Sequence, residues 1–130
     1  MPDSDNQPSA PKHYADAQHP YEPVRTAGPL VFIAGQLGVK DNALVSGGIR
    51  AEAEQAFANL RGLLAQHDLR LDDLVKVTVY LVSMSDRLAL DEVYVAQMPN
   101  RLPTRTCVAV AELPFGARVE LDAIAHRETP

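Results

Sequence analysis

The chain has one cysteine, no basic block and no long apolar run, and each shortage removes a class of protein. A single cysteine, Cys107, permits no intramolecular disulfide and fits a reducing compartment. Lys and Arg number 12 against 17 Asp and Glu, a net charge of -5. That balance argues against sequence-independent binding to nucleic acid. The longest apolar candidate, VKVTVYLVSM, is interrupted by Lys76 and falls short of the ~18 residues of a membrane span. The first 20 residues, MPDSDNQPSAPKHYADAQHP, have mixed charges and lack the apolar core of a signal peptide. These features predict a cytoplasmic protein that makes no membrane contact.

The usual chemical signatures are also missing. The four histidines, His13, His19, His67 and His126, are scattered and form no HxH or HExxH spacing, so metal ligation has little support. GQLG and SGG are not phosphate loops, because neither sits in a strand–GxGxxG–helix or GxxxxGK[ST] pattern. No GxSxG elbow is present. What remains is acid–base and electrostatic chemistry on a small molecule, with no cofactor expected.

With 130 residues, the chain is of single-domain size. Residues 1–20 are rich in Pro, Ser, Asp and Asn and read as a flexible arm. Residues 21–127 read as the folded domain. VRTAG and LVFIAGQ are short strands joined through Gly28-Pro29, and GVKDNALVSGG is a hairpin loop leading to a glycine-marked helix start. From Ile49 to about Gln66 the residues Ile49, Ala53, Ala56, Phe57, Leu60, Leu63 and Leu64 recur at spacings of three and four. Glu52, Glu54, Asn59 and Arg61 fall between them, and the pattern predicts an amphipathic helix. LVKVTVYLV (74–82) is a continuous run, long enough for a strand buried on both faces. A second helix spans about Asp86 to Met98, stopped by Pro99. TRTCVAVA, the turn LPFGA and RVELDAIAH follow.

The order is three strands, helix, strand, helix and two strands. This predicts an α+β fold, a mixed sheet with two helices packed on one face. Two helices leave the other face bare, and a second copy of the same sheet is the simplest cover. An oligomer is therefore expected.

The residues that ask for a function lie in PTRTCVAV (103–110). On a strand, Arg105 and Cys107 share one face while the threonines and valines share the other. Cys107 as a nucleophile would need a pKa-lowering partner, and no histidine lies near it in sequence; its ordinary reading is a small packed apolar residue. Arg105 is either a solvated strand arginine or the holder of a carboxylate. Glu120, which shares a face with Asp122 and Ile124, is the intramolecular carboxylate expected beside it.

PYEPVRTAGPLVFIAGQ, LDDLVKVTVYLVSMSDR, VYVAQMP and LPTRTCVAVAELPFGARVELDAIA resemble the RidA (YjgF) family over about residues 20–126. The most specific piece is RTCVAVAELP…VELDAIA. The resemblance implies a chorismate-mutase-like subunit in a homotrimer whose sheets line a central barrel-like core. The sites then lie in clefts between subunits. It also implies hydrolysis of reactive imine and enamine acids of the 2-aminoacrylate type to 2-keto acids and ammonia. Pyridoxal-phosphate-dependent dehydratases release such intermediates, so the activity protects other enzymes from damage.

On that resemblance, Arg105 binds the substrate carboxylate through its planar fork. The Cys107 backbone contacts the imine or the attacking water, and Glu120 positions or deprotonates that water. Tyr21 and Gly35 fall on cleft-lining positions. Two departures stand out: Ala34 replaces the usual Ser before Gly35, and Asp91 replaces a usual Asn, placing an acid near the cleft mouth where it repels an anionic substrate. Two other functions compete: a non-catalytic trimer that binds a small molecule or a partner, and an RNA-cleaving or translation-inhibiting role. The acidic balance counts against the second.

Overall fold

The computed structural model describes residues 19–98 and 100–128. The arm expected over residues 1–20 thus lies outside the described residues except for its last two. The helix stop expected at Pro99 lies outside them as well.

The first two strands, β1 (Val24–Ala27) and β2 (Leu30–Leu37), form a hairpin. The loop segment after them closes into a separate two-stranded ribbon, β3 (Val39–Lys40) with β4 (Ala43–Leu44). Four strands therefore precede the first helix where the sequence suggested three, because the segment turns back at Asp41-Asn42, both at positive φ, and pairs with itself rather than with the main sheet. Helix α1 (Gly48–Gln66) begins where expected. Its N-cap, Gly47, has φ of 114°, a backbone conformation that side-chain-bearing residues avoid. Strand β5 (Leu74–Leu81), helix α2 (Arg87–Gln97), strand β6 (Thr104–Ala109) and strand β7 (Val119–His126) complete the chain.

The main sheet has the order β1-β2-β7-β5-β6. All its pairings are antiparallel except β5 with β6, which the α2 crossover makes parallel. Helix α1 packs against β2 and β7, and α2 against α1, so both helices serve one face. The core between them contains Ala53, Ala56, Phe57, Leu60 and Leu64 from α1, Leu90 and Val93 from α2, and Val77, Val79, Leu81, Val119 and Leu121 from the sheet. Burying each Val, Leu or Phe among them contributes about 1.5–3 kcal/mol, together the dominant favourable contribution in a domain this size.

Two expectations need correction. Glu52 fell among the polar positions of α1, yet it is 3% exposed. Its carboxylate accepts the Arg118 N–H at 2.8 Å, which ties α1 to the start of β7. Strand β5 is not buried on both faces of the single chain: Val77, Val79 and Leu81 are buried, while Lys76, Thr78 and Tyr80 are half-buried on the face without helices. That open face also carries Phe32, Val108, Ile124, Asp122 and Glu120, by the pairings Phe32 with Ile124, Lys76 with Ile124, and Tyr80 with both Glu120 and Val108.

Candidate functional site

Strand β6 lies at the sheet's edge, with β5 on one side only. Its residues alternate: Arg105 and Cys107 are half-buried, while Thr104, Thr106 and Val108 are exposed. The register puts Arg105 beside Val77 and Cys107 beside Val79. Since Val77 and Val79 are core residues, both site residues project from the helix-covered face. The shared face read from the alternation is therefore present.

Arg105 does not meet Glu120. Strand β5 lies between β6 and β7, and Glu120 pairs with Tyr80 on the opposite face of the sheet. The pairing expected within one chain is thus overturned by strand order: two strands joined by a turn need not be neighbours. The carboxylate at Arg105 is Asp91, whose Oδ1 accepts from Nη1 at 2.6 Å. The Asp91 Oδ2 lies 3.7 Å from Arg87 Nε, one helical turn earlier. The α2 crossover delivers Asp91 to the edge strand that it precedes.

Beneath this pair lies Tyr94, which sequence reasoning did not single out. The Arg105 guanidinium carbon sits 4.8 Å from the centre of its ring, a favourable cation–π arrangement. Tyr94 is 4% exposed, and its buried hydroxyl has no hydrogen-bond partner among the described residues. Burial, mainly, pushes its pKa up. The signal was positional: Tyr94 stands one turn after Asp91 on α2, so it accompanies Asp91 toward β6. Burial alone would lower the pKa of Arg105, but its hydrogen bond and charge contact with Asp91 outweigh that and raise it. Arg105 is therefore a fixed cation.

Glu120 sits in the second group. It is half-buried and, among the described residues, its side chain makes no hydrogen bond or ion pair. Burial and the neighbouring Asp122 carboxylate raise its pKa above the ordinary 4.5. Asp122 itself accepts the Tyr80 hydroxyl at 2.9 Å. Gly35 belongs here: a Cβ built on it would stand 1.9 Å from the Glu120 Oε2. A side chain at this position would push the carboxylate out of the place it occupies. The β2–β7 register shifts between Ile33 and Gln36, a bulge that displaces Ala34 and Gly35 from regular alternation. Gln36 Nε2 donates to the Ala34 carbonyl at 3.0 Å.

The Ala34 N–H donates to Pro23 O at 2.9 Å, which brings the segment before β1 alongside the bulge. Tyr21, two residues earlier, is 53% exposed and contacts His19 Nδ1 through its hydroxyl at 3.2 Å. A groove of about 450 Å³ opens between Pro23, Gly35, the β3–β4 ribbon and α1. It includes neither Arg105 nor Glu120. The seven residues singled out from sequence therefore form two groups, Arg105–Cys107–Asp91 on one face and Glu120–Gly35–Ala34 toward the other, with Tyr21 beside the second.

Among the described residues no group of His, Cys, Asp and Glu is arranged to hold a metal, and no helix is long and apolar enough to cross a membrane. What the two groups offer chemically is a guanidinium for an anion and a carboxyl poised nearer neutrality than usual.

The endoribonuclease L-PSP family model matches residues 11–127. The chain is 36% identical over 107 residues to the 2-iminobutanoate/2-iminopropanoate deaminase of Dermatophagoides farinae, which covers 81% of this chain and 84% of that protein. It is also 36% identical over 106 residues to protein MMF1, mitochondrial, of Saccharomyces cerevisiae, covering 81% and 73% of the two chains. The crystal structure of RidA from the Antarctic bacterium Psychrobacter sp. superposes with a TM-score of 0.79 at 36% identity, over 85% of this chain and 90% of the other.

Proposed function

We propose that this chain, which belongs to the endoribonuclease L-PSP (RidA/YjgF) family, hydrolyses reactive 2-imino and enamine acids of the 2-aminoacrylate type to 2-keto acids and ammonia. The observation that carries the reading is Arg105: a half-buried guanidinium on an edge strand, backed by an aromatic ring and bonded to a carboxylate. That is the local geometry of a carboxylate receptor. The deaminase relative supports the reaction class.

The chemistry follows from the substrate. After tautomerisation an enamine acid is an imine, already electrophilic at carbon. Water adds to that carbon, the new C–O bond gives a carbinolamine, and the C–N bond then breaks to release ammonia and the keto acid. Glu120 takes one water proton and passes it to the nitrogen as the carbinolamine forms, then takes the carbinolamine hydroxyl proton and passes it on to the departing ammonia as the carbonyl forms. A carboxyl raised above its ordinary pKa does both jobs better at neutral pH than an ordinary one. Arg105 fixes the substrate carboxylate, and the backbone of Cys107 on the open edge of β6 contacts the imine or the water. Positioning and one proton shuttle suffice, without a covalent intermediate.

Arg105 and Glu120 occupy opposite faces of one sheet, so a second copy must bring them to a common cleft. A homotrimer does this while covering the open face that carries Phe32, Tyr80 and Val108. Sedimentation at micromolar concentration tests the assembly; a clean monomer would remove the shared site with it. Ordinary cytoplasmic redox conditions suit the lone Cys107.

The activity is tested by adding the protein to a pyridoxal-phosphate-dependent dehydratase reaction that generates 2-aminoacrylate. Faster release of keto acid and ammonia is the expected result. A folded protein that leaves both rates at the uncatalysed value would return the chain to a binding role.

A further inference from the structure

Asp91 and Arg105 form a contact that the hydrolytic chemistry does not use, and it stands where substrate should bind. Oδ1 of Asp91 takes Nη1 of Arg105 at 2.6 Å, and Arg87 flanks the other oxygen at 3.7 Å. The side chains are 35% and 19% exposed for Asp91 and Arg105, so the pair is accessible from outside. Solvent reaches the Asp91 side of the pair and screens it, so the contact is open to competition. A ligand is therefore able to share the guanidinium or displace the aspartate. Tyr94 covers one face of the guanidinium, which leaves approach along its edge. An arginine has five N–H donors, and Asp91 occupies one edge position, so donors remain for a second carboxylate.

That second carboxylate would arrive beside a carboxylate already there. For a ligand with no other charge the encounter is repulsive. For a ligand that also carries a positive nitrogen, Asp91 supplies a counter-charge a few ångströms from the carboxylate site. A protonated 2-imino acid is such a zwitterion, and its 2-keto acid product is not. The two differ at one atom, and Asp91 acts on that difference.

We propose that Asp91 is a specificity-determining residue: its carboxylate on Arg105 makes the site favour zwitterionic imino or amino acids over anionic keto acids, and so weakens the hold on product. The inference rests on Arg105 being the substrate-carboxylate receptor, as read above.

The test uses two stable probes with the same carbon skeleton, L-2-aminobutanoate (zwitterion) and 2-oxobutanoate (anion). Calorimetry on the full-length protein, Asp91→Asn and Arg105→Ala measures their affinities, with melting temperatures taken alongside. Asparagine keeps a hydrogen bond to Arg105 while removing the charge. Expected is 2-oxobutanoate binding about 3- to 10-fold tighter in Asp91→Asn, the scale of one like charge in a partly solvated site. The aminobutanoate affinity should stay level or fall, which reverses the preference. A merely structural Asp91 would move both probes equally, or shift melting temperature alone, and either outcome overturns the proposal. If Asp91→Asn fails to fold, Asp91→Ser takes its place with the same expected reversal. Should Arg105→Ala bind both probes like the unaltered protein, the receptor assignment itself fails and the proposal with it. An unchanged probe ratio in Asp91→Asn, with binding still lost in Arg105→Ala, sinks only the role of Asp91.

Discussion

The two half-sites treat charge in opposite ways. Around Arg105 a cation is answered: Asp91 accepts its hydrogen bond and Tyr94 lies under its plane. Around Glu120 burial disfavours the charged form, and a second acid, Asp122, adds to the effect. One half is locked in its charged form and the other is pushed toward its neutral form. The contrast suits a division of labour, with a permanent anchor for a substrate carboxylate and a titratable group for the proton. A single chain cannot join them, because the sheet itself stands between.

The largest break in that contrast comes from removing Glu120, the proposed proton shuttle. Glu120→Gln should lower kcat/KM by about 10²- to 10⁴-fold, the usual range for a positioned acid–base group, with little change in probe binding at Arg105. The same half-site predicts a pH profile. Glu120 works as a base only when ionised, and its pKa lies above 4.5, so activity should fall as pH drops through that raised value. Asp122→Asn removes the like charge, lowers the Glu120 pKa and should shift the acid limb to lower pH. Steady-state rates across pH on the three proteins check the sign. An acid limb that stays put in Glu120→Gln would assign the titration to another group.

Next in size is the anchor. Arg105→Ala should cost about 2–5 kcal/mol, roughly 30- to several-thousand-fold in kcat/KM, and leave the assembly intact. Arg105→Lys should recover only part, because an ammonium keeps the charge and loses the fork. A rival account makes Arg105 a mere partner for Asp91. In that case Arg105→Ala lowers melting temperature and leaves turnover alone, and Asp91→Asn partly restores stability. Melting curves and imine hydrolysis on the same variants separate the two.

Why part of this was legible in the sequence, and part was not, follows from the range of each interaction. Helix α1 declares itself because its apolar residues repeat at its own period, and five of the seven named are fully buried. The common face of Arg105 and Cys107 follows from strand alternation, which needs no knowledge of neighbours. The strand beside β6 is another matter. It depends on closing the long crossover through α2, and local pattern is silent on whether β7 then pairs with β6 or with β5. The expected contact between Glu120 and Arg105 within one chain failed at that step. Asp91 stands out in the sequence as an acid near the cleft, yet its bond to Arg105 spans 14 residues and appears only once α2 is laid against the edge strand. Glu52 misled for a related reason. A carboxylate between apolar helix positions reads as solvated until the Arg118 N–H, 66 residues away, is found on it.

The smallest expected effect falls on the residue that sequence reading finds most conspicuous, the lone cysteine. Cys107 is half-buried and packs against the core from the same face as Arg105. A reactive thiol needs a base, a cation or a helix N-terminus beside it; the charge near Cys107 is Arg105, which the carboxylate of Asp91 already answers. Its backbone, by contrast, lies on the unpaired edge of β6, and alanine leaves that backbone unchanged. Cys107→Ala should therefore lose less than about 1 kcal/mol, under roughly fivefold in kcat/KM, the price of a small repacking. Cys107→Pro removes the backbone N–H at the same position and should abolish activity if that group contacts substrate. Because proline also strains a strand, circular dichroism must show that the fold survives before its rate is read. An alanine variant that folds and is inactive would return the thiol to the mechanism as a nucleophile. It would also make the β6 edge, rather than the Glu120 half, the centre of the chemistry.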